Sequence, residues 1–301
     1  MQVVVMHQTG GPEVLRLQEA DAPTPADGEV LVRVHATSLN PIDWKYRRGM
    51  MPKELPAVLG SDVSGTVELS RADGFAAGDE VFGLAAGAYA ELAVADAGRL
   101  ARKPAGVSHE QAAALPVAGL TAWQALFDRG ALKRSQNVLI AGAAGGVGHL
   151  AVQLGQHAGA HVTGTASARN REFVLGLGAA EFIDYTSEDA AAVAREIDLA
   201  FDTVGGGTTA SLLPAVREGG LLVTIAGAPP EQAAAERGAR AELLVMSPDP
   251  HELGDLGQLV ADGKLHVEIE RTFALADIGE AHALGEAGHT RGKIVITVPQ
   301  T

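Results

Sequence analysis

Three glycines at regular intervals, Gly142, Gly145 and Gly148, follow the apolar run Val138-Leu139-Ile140-Ala141 and precede His149-Leu150-Ala151-Val152-Gln153-Leu154. This pattern reads as a short strand turning through a glycine loop into an amphipathic helix. Glycine permits the tight turn and lets a backbone approach a pyrophosphate closely. The helix start adds unpaired N–H groups and the positive end of its dipole. Such a loop is built to hold a dinucleotide. The spacing predicts that Gly142, Ala144, Gly145, Gly146, Val147 and Gly148 line it.

Charge chooses between the two nicotinamide dinucleotides. An NAD site wants an acidic residue about 20 positions past the glycines, to bond the ribose 2′-hydroxyl. From Gly142 through Arg171 there is no Asp or Glu. The second strand, Val162–Thr165, runs instead into Ser167, Arg169 and Arg171. A hydroxyl and two guanidiniums suit a 2′-phosphate, so NADPH is the expected cofactor. The competing reading of these arginines is a solvated helix start. Tyr46, Tyr89 and Tyr185 are the only tyrosines, and none has Lys four places later. The Tyr-x-x-x-Lys machinery of short-chain reductases is therefore missing.

The whole chain sets the limits. It has 301 residues and a formal net charge of −14, which disfavours nucleic acid and anionic membrane surfaces as partners. With no cysteine, it can form neither a disulfide nor a thiolate nucleophile nor a Cys-ligated zinc site. Met1 leads directly into Val3-Val4-Val5 without a basic region or cleavage site, so a cytoplasmic protein is expected. The nearly uncharged stretch Val138–Leu154 is too rich in glycine for a membrane span.

These residues need elements to place them. Val30, Val32 and Val34 alternate with Leu31, Arg33 and His35, as in a half-buried strand. Short apolar runs recur at Val3–Met6, Val63–Leu69, Glu80–Leu84 and Tyr89–Val94, with Gly/Pro turns between them, which suggests a barrel or sandwich. Near Ser108 the texture changes. Ser108 and Gln111 form a capping-box pattern, and strands then alternate with helices through Leu199–Thr203, Leu221–Ala226 and Leu243–Met246. This is an α/β protein with a doubly wound parallel sheet beside a β domain. The tail, with Val267–Glu270 and Lys293–Val298 as strands, rejoins the first part. The expected division is residues 1–112 with 264–301, and 113–263 for the dinucleotide domain.

Eight segments in order resemble one known family. They are Gly10–Leu15, Asn40–Asp43, Leu55–Asp62, Gly78–Gly83, Ala113–Ala122, the glycine loop, Asp202–Gly206 and Gly292–Val295. The chain resembles the zinc-free quinone oxidoreductase (zeta-crystallin-like) branch of the medium-chain dehydrogenase/reductases, from end to end. The resemblance implies a GroES-like, partly open β-barrel domain beside a Rossmann domain. It also implies a homodimer or homotetramer, paired through the last Rossmann strand, here near Leu243–Met246.

The zinc branch of that superfamily carries Cys where this chain has Asn40, and His where it has Ser61. Without a Lewis acid, alcohol oxidation gives way to hydride transfer onto a quinone or an α,β-unsaturated carbonyl. By motif position, Asn40 and Thr121 would face the nicotinamide or the substrate, with Asp43 as a nearby polar contact. Tyr46 is either a proton donor, as in enoyl reductases, or a packing residue. On the cofactor side, the resemblance implies Tyr185 beside the adenosine phosphate. Val204, Ala226, Gly227, Met246 and Ser247 would flank the nicotinamide ribose and ring, and Lys293 would stand close by. Two loops, between Val67 and Gly78 and at Gly83–Gly87, are shorter than in many relatives. The alternatives are an enoyl-thioester reductase and an NADPH-binding sensor or structural protein of low activity.

Overall fold

Val30, Val32 and Val34 are completely buried while Arg33 and His35 reach solvent in part, so the strand forms where the period of two placed it, although Leu31, expected on the outer face, is buried as well. A computed structural model of the chain describes residues 1–300. By their internal contacts they fall into two units: Met1–Val117 with Pro248–Gly263 and residues 269–300, and Ala118–Ser247 with Lys264–Glu268.

The first unit holds β1 (Gln2–Met6), β2 (Leu15–Glu19), β3 (Glu29–Ser38), β4 (Ala57–Val58), β5 (Asp62–Ser70), β6 (Glu80–Leu84), β7 (Leu92–Asp96) and β8 (Leu100–Arg102). The second holds a single sheet of β9 (Asn137–Ala141), β10 (His161–Ala166), β11 (Glu181–Asp184), β12 (Ile197–Asp202), β13 (Val216–Thr224) and β14 (Arg240–Leu243). The tail returns to the first unit as β15 (Ile269–Ala274) and β16 (Lys293–Thr297).

In the first unit β1 pairs antiparallel with β2 and β4. The larger sheet runs β15-β16-β3-β5-β6-β8, with β7 also paired to β3. Valines from β1, β3, β5 and β6 share one core with Ile294 and Ile296 of β16. The tail therefore completes this core, because β16 pairs antiparallel with β3. The N-terminal loop is fixed by Arg47, whose side chain is fully buried. Its Nη1 donates to the Gly10 carbonyl at 2.6 Å and its Nε to His282 Nδ1 at 3.2 Å, and it pairs with Glu286. The Gly10 amide in turn donates to the Arg47 carbonyl.

In the second unit the order is β11-β10-β9-β12-β13-β14, all parallel. Val138, Leu139, Ile140 and Ala141 of central β9 are all fully buried, as a two-sided parallel strand requires. The order reverses between β9 and β12, which makes the carboxyl end of β9 the topological switch point.

Two expectations need correction. The last Rossmann strand is Arg240–Leu243 and not Leu243–Met246, so Met246 and Ser247 lie beyond its end. Leu244–Met246 is the more apolar run, but the register on β13 is set by Leu221↔Arg240 through Thr224↔Leu243. Position in the sheet outweighed hydrophobicity. Second, the boundary expected at 263 is displaced, because the helix Pro250–Ala261 belongs with the first unit. Gly257 on that helix sits so close to Phe82 and Pro104 that a Cβ there would lie 2.8 Å from the phenylalanine ring.

Candidate functional site

Every residue expected around the dinucleotide, Lys293 excepted, follows the carboxyl end of a strand in the second unit. The glycine loop follows β9, Ser167–Arg171 follow β10, Tyr185 follows β11, Val204 follows β12, Ala226 and Gly227 follow β13, and Met246 and Ser247 follow β14. A parallel sheet puts all these loops on one edge, the edge where open α/β folds bind ligands.

The loop itself needs its glycines. Gly142 adopts φ +73°, and a Cβ there would meet Thr203 Oγ1 at 2.5 Å. At Gly148 a Cβ would fall 2.1 Å from the Gly142 carbonyl oxygen, so only glycine lets the helix Gly148–His157 begin this close to the turn. Gly145 donates its N–H to the same carbonyl at 2.9 Å. The Gly142 carbonyl is thus turned inward and bonded within the turn. The residues present fit a pyrophosphate cradle.

The neighbouring loops are shaped by side chains the sequence did not single out. Asp202, fully buried at the end of β12, accepts from the backbone N–H groups of Val204 at 2.9 Å and Gly205 at 3.0 Å. It also accepts from the hydroxyls of Thr209 and Thr224. This grip presents Val204, which is 55% exposed, at the sheet edge. Gly205, at φ +80°, passes so near Ala226 that a Cβ would sit 2.2 Å from its carbonyl oxygen. Ser247 is held by Gln124, whose amide both donates to its carbonyl and accepts from its N–H. At the adenosine end, Ala166↔Asp184 is the last pair of β10 and β11, so Ser167 and Tyr185 leave the sheet side by side. Arg169 and Arg171 are both exposed, and the Arg171 guanidinium lies over the Phe182 ring at 4.8 Å. Thr121 is buried on the helix Pro116–Trp123.

The first unit carries a buried polar cluster. Asn40 precedes the helix Pro41–Arg47 as its N-cap, and its backbone N–H donates to Asp43 Oδ2 at 2.9 Å. Its side chain is directed elsewhere. Asn40 Nδ2 donates to Asp62 Oδ2 at 2.7 Å, and Asn40 Oδ1 accepts from Lys293 Nζ at 2.6 Å. A carboxylate only accepts and an ammonium only donates, so these partners fix which way the amide faces. Asp62 also accepts from the Ser38 hydroxyl and from the Val117 N–H at 2.9 Å. Lys293, expected with the cofactor residues, is instead buried in this cluster, also donating to the Leu39 carbonyl at 3.2 Å and lying 3.7 Å from Asp62.

Burial governs the ionisation here. It lifts the Asp43 carboxyl to about 6, with the Asp62 charge adding to the rise and the Asn40 N–H opposing it. Burial also lowers the Lys293 ammonium, against the pull of Asp62 and Asp43. The Tyr89 phenol, buried beside Asp43, is pushed up by burial and then by that carboxylate. Its hydroxyl meets no partner in full hydrogen-bond geometry. Tyr46 is half-buried, with Lys53 over its ring at 5.3 Å. Asp62, Ser38, Tyr89 and Asp202 are the residues that sequence reasoning passed over. Asp62 and Asp202 both lie inside family-like segments, and that was the available signal.

Among the described residues, no three of His, Asp and Glu are grouped so as to hold a metal ion. Nor is any described helix long and apolar enough to cross a membrane.

Comparison with known proteins places this arrangement. Residues 26–105 match the alcohol dehydrogenase GroES-like domain, and residues 177–296 match a zinc-binding dehydrogenase domain. The chain belongs to the medium-chain dehydrogenase/reductase superfamily. Within it, the similarity falls in the quinone oxidoreductase branch. A chloroplast envelope quinone oxidoreductase homolog from Arabidopsis thaliana is 37% identical over 95% of both chains. The structure of the quinone oxidoreductase from Coxiella burnetii superposes with TM-score 0.95 at 38% identity, covering 99% of each chain. That of the Escherichia coli quinone oxidoreductase complexed with NADPH gives TM-score 0.91 at 29% identity over 99% of this chain and 100% of the other.

Proposed function

We propose that the protein is an NADPH-dependent reductase that passes hydride to a quinone or an α,β-unsaturated carbonyl without zinc. The observation that carries the reading is the Asn40 amide, held between Lys293 and Asp62 where the zinc branch would have its cysteine. A metal ion there would have to bind the amide oxygen, which already accepts from an ammonium. The donor set does not fit zinc.

The same geometry suits an anion. Asn40 Nδ2 gives one N–H to Asp62 and keeps a second. With its oxygen bonded to Lys293, the amide is polarised toward donation. Such a donor stabilises the oxygen on which charge gathers when an enone or quinone is reduced. Bound at the glycine loop, NADPH supplies the hydride from C4 of its nicotinamide. Ser167, Arg169 and Tyr185 hold the 2′-phosphate end, and the exposed Val204 with Ala226 and Gly227 lines the ribose side. Asp43, its carboxyl lifted to about 6 by burial, is mostly a carboxylate at neutral pH.

Two copies pair along the sheet edge at β14. That edge presents Leu243, and Val245 just past it is 76% exposed.

The test is an acceptor panel with NADPH and NADH in parallel. NADPH oxidation with 1,4-benzoquinone, 9,10-phenanthrenequinone or a simple enone supports the reading. Failure with every conjugated acceptor, or equal rates with NADH, would count against it.

A further inference from the structure

The weakest point of the phosphate loop is its Gly145–Gly146 peptide. A peptide flanked by glycine on both sides has no Cβ to resist rotation of its plane, so its direction rests on the hydrogen bonds its carbonyl accepts. One residue supplies two of them. His149, the second residue of the helix, is fully buried, and its Nδ1 lies 2.9 Å from the Gly145 carbonyl oxygen. The same carbonyl also accepts the His149 backbone N–H at 3.1 Å. Because the peptide is planar and trans, a carbonyl held toward the helix turns the Gly146 N–H the opposite way, out of the loop.

The ring is held in its turn. A carbonyl can only accept, so His149 Nδ1 carries the proton. Its Nε2 accepts from the Glu268 backbone N–H at 3.3 Å. Glu268 is positioned by Gln153, one turn further along the same helix face. The Gln153 amide bonds both backbone groups of His266, donating at 2.9 Å and accepting at 2.7 Å. It also donates to the His149 carbonyl at 2.8 Å. The extended segment Lys264–Glu268 thus buttresses the imidazole, and the imidazole holds the loop.

We propose that His149 is a positioning residue for the dinucleotide: it locks the Gly145–Gly146 peptide so that the Gly146 N–H faces the pyrophosphate. The inference rests on the dinucleotide reading given above. Loss of the ring leaves the Gly145 carbonyl on the His149 backbone N–H alone, so the diglycine peptide is held less firmly and the donor is presented less of the time.

The test is binding, not turnover. NADPH, the 2′-phosphate of ADP-ribose and 2′-AMP are titrated against the wild-type protein and His149→Phe, which keeps a planar ring and removes both ring nitrogens. The expected result is affinity weakened about tenfold for the two pyrophosphate compounds, the value of roughly one hydrogen bond, with 2′-AMP unchanged. Gln153→Leu, which loosens only the buttress, shifts the same two ligands by a smaller factor. Equal affinities in wild type and His149→Phe would overturn the proposal, as would parallel weakening of all three ligands, which signals general loss of structure. A wild-type protein that binds none of the three overturns the dinucleotide reading itself and this inference with it.

Discussion

Asn40 and Lys293 meet at 2.6 Å, the buried ammonium of one donating to the amide oxygen of the other across 253 residues of sequence. That contact joins the helix start after β3 to the first residue of β16. It orients a neutral amide beside two carboxylates, and the proposed chemistry depends on that orientation. Replacing the amide tests it. Asn40→Ala is expected to cut turnover about 10²-fold, the usual loss for one preorganised donor, as measured in steady state at saturating NADPH. A variant with undiminished turnover would remove Asn40 from the reaction.

The raised Asp43 carboxyl gives stability a pH dependence of known sign. Burial moves it from 3.8 to about 6, so between those values the folded protein binds more protons than the unfolded chain. The contribution of this group is most favourable below 3.8 and is lost as pH rises through about 6. Asp43→Asn removes the titration. Denaturant unfolding across that window should show the variant gaining on the wild type as pH rises, by on the order of 2–3 kcal/mol. A constant difference would show that Asp43 does not titrate there.

Arg47 and Arg33 separate a buried ion pair from an exposed one. Arg47→Met leaves His282 and the Gly10 carbonyl without this partner and Glu286 with only the exposed Arg48, and should cost about 3 kcal/mol of folding stability. Arg33 pairs with Glu68 while 34% exposed, and Arg33→Ala should cost no more than about 1 kcal/mol. Chemical denaturation reads both. His282 stays neutral throughout, because burial and then the Arg47 charge lower it to about 3.

The two arginines at the adenosine end are not equivalent. Both stand exposed past β10, and the Arg171 guanidinium lies over the Phe182 ring. Arg169→Ala should weaken NADPH binding about tenfold or more and leave NADH binding unchanged, with Arg171→Ala doing less. Fluorescence titration of both nucleotides distinguishes the outcomes. An equal loss for NADH would mean that Arg169 does not contact the 2′-phosphate.

Local patterns were the legible part of the sequence. The glycine loop, the capping box at Ser108 and Gln111, and the alternating valines of β3 each follow from spacing within a few residues. The cofactor edge followed from these, since parallel strands fix where their loops emerge. Contacts across the chain were not legible. Nothing near Lys293 announces Asn40, and nothing near Arg47 announces Gly10 or His282. The strand after Ala239 was misplaced for a related reason. Its polar residues Arg240 and Glu242 pair with a buried neighbour, and only the sheet register reveals them as strand. Asp62 and Asp202 looked like ordinary acidic residues until burial showed how many donors each one gathers.

The most direct measurement uses protein dialysed against a chelator and NADPH deuterated at both C4 positions of the nicotinamide. Single-turnover consumption is followed with 9,10-phenanthrenequinone and with an α,β-unsaturated ketone. The expected result is full activity after dialysis with at least one acceptor, and consumption slowed severalfold by the label, because the C4 bond breaks in the reaction. Activity that vanishes with the chelator and returns only with zinc would contradict the account, as would the absence of turnover with both acceptors.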